Sequence, residues 1–286
     1  MGFNKLGLWG LVALSLLGLS GCGQPKKATG TTPAVATLKS PAYVPTLFFH
    51  GWGSSYRAEQ HMARAALRAG VTQTVVRATV SKRGRVTLKG HFQANDHRPI
   101  VEVDYQDNRN ANYQTDGRWA RAVVVALQRR DHIKSFNMVG HSMGNMAIVY
   151  YLLANAQNQH LPKLRKQVDI AGHFNGILGV DDQPNRMQLT SSGQPLKMNH
   201  DYQALLALRK TYPKNQIKVL NIYGDQGDGS HSDGSVSNAS SQSLKYLVAP
   251  RAKTYQEVKI KGPKAQHSKL HANQQVDRLL INFLWR

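Results

Sequence analysis

Residues 135–156 read SFNMVGHSMGNMAIVYYLLANA, and the serine in the middle decides how the rest of the chain is read. A short apolar run, Phe136 to Val139, stops at Gly140-His141-Ser142-Met143-Gly144, and the strongly apolar run that follows has helical length. Gly140 and Gly144 carry no Cβ, so a tight strand-to-helix turn can pass close to its neighbours and present Ser142 at the carboxyl end of a sheet. The amide of Met143 then opens a helix and faces any negative charge that develops beside Ser142. A Gly-x-Ser-x-Gly string is short enough to arise by chance; the strand before it and the helix after it give it weight.

A serine hydroxyl is a poor nucleophile until a base takes its proton, so the reading requires a histidine and an acid later in the chain, both in loops after strands. Of the 12 histidines, His267 in KAQHSKLHANQQV has that placement, after the run YQEVKIKG (255–262) and before the apolar terminal segment. His271 is the competitor, read as a capping or surface residue because it lies nearer the last helix. The acid is expected in GDQGDGSHSDGSV (224–236), where Asp225, Asp228 and Asp233 all qualify by topology. That oxygen-rich loop lacks the register and the terminal Glu of an EF-hand, and no metal or cofactor is expected. Upstream, HGWGSS (50–55) follows an apolar strand, and Gly51 and Gly53 let the amide of Trp52 turn inward. With the amide of Met143 it forms an expected oxyanion hole. The His50 side chain is read as core packing.

Around these motifs, strands and helices alternate. Strands are expected at 46–49, in a hairpin-like pair within 72–90, and at 100–105, 135–140, 168–171, 217–224 and 255–262. Helices are expected at 55–69, 115–130, 145–156, around 202–210 and at 276–285. This is an α/β pattern, a mostly parallel sheet covered on both faces. Residues 225–243 read as a Gly/Ser/Asp-rich loop. The polar stretch 172–200 is long for a strand-to-helix connection and reads as a lid-like insertion.

With 286 residues and 41% hydrophobic composition, the chain has the makings of one large globular domain. Lys and Arg total 37 against 16 Asp and Glu, a formal charge of +21, so the surface attracts polyanions. The basic residues are scattered rather than gathered in one stripe, which argues against a specific nucleic-acid site and leaves nonspecific contact with anionic cell-wall polymers or lipid headgroups.

The first residues, MGFNKLGLWGLVALSLLGLSGC, place Lys5 before an apolar stretch from Leu6 to about Leu19, shorter than the ~20 residues of a spanning helix. Leu19-Ser20-Gly21-Cys22 resembles a bacterial lipobox. It implies a lipoprotein-type signal peptide over 1–21 and a lipid on Cys22 that binds a membrane. Cys22 is the only cysteine, so no disulfide forms within one chain. Residues 22–45 read as a flexible tether and 46–286 as the folded domain.

HGWGSS (50–55), GHSMGN (140–145), FNGILG (174–179), SDGSV (232–236) and HSKLH (267–271) together resemble the cell-surface α/β hydrolases of Gram-positive bacteria grouped as domain of unknown function 915. The resemblance implies the α/β-hydrolase fold with a Ser142, Asp233, His267 triad. In that superfamily the acid often sits in a D-G-x-V turn, which Asp233 matches and Asp225 and Asp228 do not. The expected activity is hydrolysis of a small-molecule or lipid carboxylic ester outside the cell, carboxylesterase or lipase-like, through an acyl-enzyme. Acyl transfer by the same triad, or noncatalytic envelope binding on the same scaffold, are the alternatives.

Overall fold

The computed structural model describes residues 43–286. The expected signal peptide, Cys22 and nearly all of the expected tether lie outside the described residues.

Eight strands form one sheet: β1 (Thr46–Phe49), β2 (Val75–Val80), β3 (Val86–Lys89), β4 (Ile100–Tyr105), β5 (Ser135–His141), β6 (Lys163–Ile170), β7 (Lys218–Asp225) and β8 (Thr254–Lys261). Their spatial order is β3-β2-β4-β1-β5-β6-β7-β8. Only β3 runs antiparallel, pairing with β2 across the turn that contains Lys82, Arg83 and Gly84. Every other pairing is parallel. The order reverses at β1, which pairs with β4 on one side and β5 on the other, with Phe49 opposite Gly140. In an open α/β sheet the crevice outside the carboxyl ends at such a reversal is where ligands bind. Here it is flanked by HGWG after β1 and by Ser142 after β5.

The parallel strands are buried on both faces, and successive side chains feed two cores. Leu47 and Phe49 of β1 join one core with Met138 and Met146, while Phe48 joins the other with Val139, Val168 and Leu280. The first core is closed by α2 (Tyr113–Asp131) and α3 (Met143–Asn155), the second by α1 (Gln60–Arg68) and α8 (Gln274–Trp285). Residues Met143 to Leu152 of α3 are buried on every side. That is why the sequence there shows no polar stripe: a helix apolar all round is an interior helix. Asn112 caps α2 by accepting from the Thr115 amide at 2.8 Å.

Three local expectations need correction. The helix expected over 55–69 is a 3₁₀ turn at Tyr56–Ala58 followed by α1, with Ser55 accepting from the Arg57 amide at the turn's start. The helix expected around 202–210 is two short ones, α4 (His200–Leu205) and α5 (Leu208–Thr211). The loop expected over 225–243 contains α6 (Asn238–Gln242) and runs on into α7 (Leu244–Val248). The polar sequence of α6 hides a buried helix, because Ser240 and Ser241 donate their hydroxyls to the carbonyls of Gly176 and Gly172, each at 2.8 Å. Those bonds, with the Ser237 hydroxyl donating to Asp182, tie residues 172–182 to the segment after β7.

Candidate active site

The turn after β5 places Ser142 at φ 53°, ψ −120°, a backbone region that a residue with a side chain rarely occupies. Its neighbours hold it there. The Ser142 amide donates to Ile170 O at 2.9 Å, and Asn145 Nδ2 donates to both Ser142 O (2.9 Å) and Ile170 O (2.8 Å). A Cβ on Gly144 would lie 2.1 Å from Phe49 O, and one on Gly140 would lie 2.7 Å from the Asn145 amide nitrogen. The turn therefore admits only glycine at both positions.

His267 Nε2 lies 2.9 Å from Ser142 Oγ, and His267 Nδ1 lies 2.8 Å from Asp233 Oδ2. The ionised carboxylate only accepts, so Nδ1–H donates to it and Nε2 is left as the acceptor for the serine hydroxyl. The other Asp233 oxygen takes the amides of Ser235 (2.9 Å) and Val236 (2.7 Å), which fixes the carboxylate in its turn. His267 is held through its backbone as well: its amide donates to Asp233 O at 2.8 Å, and His141 Nε2–H donates to its carbonyl at 3.0 Å.

The other two acids of the loop are occupied elsewhere. Asp225 accepts from Asn238 Nδ2, the Gly227 amide and Lys259 Nζ, and Asp228 accepts from the amide and hydroxyl of Ser230. Neither contacts His267.

The amides of Trp52 and Met143 have no hydrogen-bond partner among the described residues. His50, fully buried, explains the first. Its Nδ1–H donates to Gly51 O at 2.9 Å, while its Nε2 accepts from the Tyr105 amide at 3.1 Å. Burial pulls its pKa below the ordinary imidazole value, in keeping with this neutral tautomer. In a trans peptide the N–H points opposite the C=O, so fixing Gly51 O turns the Trp52 N–H the other way. Gly51 itself lies against Ser142, since a Cβ on it would be 3.1 Å from Ser142 Cβ. The core role expected for the His50 side chain thus needs extending: it also sets the loop.

A cavity of about 530 Å³ opens over Ser142, lined by Trp52, Tyr113, His141, Ile177, Val180, His267 and His271 among others. Its wall is mostly apolar. Ile177 and Val180 come from the 172–200 segment, which therefore forms part of the wall. His271 is not the capping or surface residue expected: it is half-buried in a 3₁₀ turn, lines the cavity, and sets its ring 5.0 Å from that of His141. The His141 ring is likewise 5.0 Å from His267. Burial first, then the neighbouring imidazoles, keep His141 well below the usual imidazole range; burial lowers His271 from its ordinary value and holds His173 at about 4. His267 is therefore flanked by neutral rings. Sequence reading missed the bracing roles of His50, His141 and Asn145, although all three sit inside the two motifs that named the site. Among the described residues no cluster of metal-ligating side chains occurs.

The chain resembles several solved structures. A gene product from Listeria innocua shares 24% identity with a TM-score of 0.76, over 85% of this chain and 94% of that one. A protein described as a cell surface hydrolase, from Lactobacillus plantarum WCFS1, shares 22% identity with a TM-score of 0.69, over 85% and 91%. Est1E from Butyrivibrio proteoclasticus, solved with ferulic acid bound, shares 15% identity with a TM-score of 0.50, over 86% and 90%. No curated relative matches in sequence. At these identities the likeness is one of fold. Residues 36–286 match the family described as alpha/beta hydrolase of unknown function (DUF915), and the chain belongs to that family.

Proposed function

We propose that the chain is an extracellular serine hydrolase of carboxylic esters. The observation that carries the reading is the unbroken hydrogen-bonded series Ser142 Oγ, His267 Nε2, His267 Nδ1, Asp233 Oδ2 at 2.9 and 2.8 Å. Ser142 Oγ attacks the ester carbonyl as its proton passes to His267 Nε2, and Asp233 stabilises the imidazolium that forms. The negative oxygen of the tetrahedral intermediate takes the unpartnered amides of Trp52 and Met143, donors that need no reorganisation. Collapse expels the alcohol, protonated by His267, and leaves an acyl group on Ser142. Water activated by His267 then releases the acid. The apolar wall from Trp52 to Val180 suits a hydrocarbon or aromatic acyl group. The extracellular placement rests on the leader and the lipobox-like Leu19–Cys22, through which a lipid on Cys22 holds the enzyme to the membrane.

The test is hydrolysis of short p-nitrophenyl esters by the wild type, Ser142→Ala and His267→Ala, with and without added alcohols. Turnover by the wild type alone supports the reading. Ester exchange that outruns hydrolysis when alcohol is present assigns acyl transfer instead. Wild-type rates no faster than those of Ser142→Ala leave the scaffold noncatalytic.

A further inference from the structure

At the edge of the sheet opposite Ser142, the amino ends of β5 to β8 carry a row of lysines. Lys134 precedes β5, Lys163 opens β6, Lys218 opens β7 and Lys253 precedes β8. These four strands are parallel neighbours, so their amino ends fall in one row: Ser135 is opposite Lys163, Lys166 opposite Lys218, and Lys218 opposite Thr254. The four lysines are exposed, and none forms an ion pair among the described residues.

Beside the row, between these strands and the last turn of α8, lies a cavity of about 340 Å³. Lys166, Lys218 and Arg286 line it with Thr254, Gln256 and Asn282 over an apolar floor, and no carboxylate side chain is on its wall. Lys166 is fixed there, since its ammonium donates to the carbonyls of Phe283 and Leu284 at 2.8 Å, at the negative end of the α8 dipole. Burial, then Lys218 and Arg165, lower its pKa below the ordinary lysine value, an electrostatic cost that a bound anion relieves.

The chain enters the fold at this same edge. The Pro45 carbonyl accepts from the Asn137 amide and the His97 carbonyl from the Val44 amide, each at 2.8 Å, just before β1 begins. Cys22 precedes Tyr43 by about 21 residues, which cannot reach beyond roughly 70 Å. A lipid on Cys22 is therefore joined to the fold through this edge and not through the Ser142 edge.

We propose that the amino-terminal edge of the sheet is a docking surface for the anionic headgroups of a lipid bilayer, with the cavity at Lys166, Lys218 and Arg286 receiving one phosphate. The choice of lipid over a wall polymer rests on the lipobox reading; the site does not depend on ester hydrolysis. Docked this way, the domain turns Ser142 away from the membrane.

The experiment uses the mature chain, residues 22–286, carrying Cys22→Ser, so that neither leader nor lipid is attached, and sedimentation with vesicles of phosphatidylcholine alone or mixed equally with phosphatidylglycerol. Each cation near an anionic surface is worth about fivefold in affinity at low salt. The triple variant Lys166→Gln, Lys218→Gln, Arg286→Gln is expected to bind the mixed vesicles about a hundredfold more weakly. So is Lys134→Gln, Lys163→Gln, Lys253→Gln, which changes exposed residues only and keeps the test valid if the first triple fails to fold by circular dichroism. Lys82→Gln, Arg83→Gln, Arg85→Gln, on the hairpin at the other edge, is expected to stay within about threefold. Equal losses in the hairpin variant reduce the effect to net charge and overturn the proposal. It is also overturned if the edge variants bind like the parent chain, or if a soluble glycerol phosphate polymer binds the edge more tightly than the vesicles do.

Discussion

Gly144→Ala puts the strand-turn-helix at the centre of the site under direct strain. The added Cβ would lie 2.1 Å from Phe49 O, 2.7 Å from Phe49 C and 3.0 Å from Phe49 Cβ. A carbon beside a carbonyl oxygen rests at about 3.3 Å, so the contact must open by roughly 1.2 Å. The closest atoms on both sides are backbone or fixed to it, and no rotamer relieves them. The amino end of α3 must lift from β1 by about an ångström. Overpacking of this kind costs about 1–3 kcal/mol, and with the clash on backbone the upper end is expected. For a chain of this size, 3 kcal/mol lowers Tm by about 6–12 °C. The activity loss is larger in proportion, because the same shift moves Ser142 and the Met143 amide relative to His267 and the Trp52 amide. A displacement of about 1 Å at reacting groups costs roughly a hundredfold. Gly70→Ala is the comparison: its φ of +65° strains alanine by about 1 kcal/mol, but nothing lies within 4 Å of the new Cβ. It is expected to lower Tm by a few degrees and leave ester turnover unchanged. The assays are thermal melting by circular dichroism and kcat/KM on p-nitrophenyl butyrate. A Gly144→Ala protein that melts within 2 °C of wild type and turns over within threefold refutes the packing argument.

Three other outcomes are expected. Asp233→Asn lowers kcat by about 10³–10⁴ through loss of the His267 tautomer, whereas Asp225→Asn stays within tenfold; the reverse ranking removes Asp233 from the mechanism. His50→Ala releases the Gly51 carbonyl and with it the aim of the Trp52 amide, for a loss of about 10²–10³ in kcat with KM little changed; a loss below fivefold shows that the loop holds its shape without His50. Asp169 is fully buried on β6, and burial pushes its carboxyl up to about 7 from 3.8 against the bonds donated by Gln167. The folded chain then keeps a proton that the unfolded chain loses, so this group's contribution to stability falls as pH rises from about 4 to about 7. The slope is at most about 1.4 kcal/mol per pH unit. Asp169→Asn is expected to gain Tm relative to wild type across that window, and parallel curves of Tm against pH contradict the assignment.

The sheet was readable because its strands are buried on both faces and appear as dense β-branched and aromatic runs such as TLFF and VLNIYG. Ser142 and His267 were readable because topology constrains both, each following a strand and preceding an apolar segment. The acid was not readable from residues alone. Asp225, Asp228 and Asp233 lie within one span of nine residues, the first ending β7 and the other two following it, and the difference between them lies in which amides and side chains each one meets, a property of the fold. The helix at 238–242 escaped notice for a related reason, since its serines read as solvated loop although they are buried and satisfy the carbonyls of Gly172 and Gly176. His50 and His141 look like ordinary buried histidines in sequence. Their importance comes from what their ring nitrogens hold, the Gly51 carbonyl in one case and the His267 carbonyl in the other.

The central claim is that Ser142 is a nucleophile activated by His267. A fluorophosphonate probe followed by peptide mapping in the mass spectrometer tests it most directly. One adduct, on Ser142, is expected, formed by the wild type and absent from folded Ser142→Ala and His267→Ala. A folded wild-type protein that takes no label, or takes it on another residue, contradicts the account.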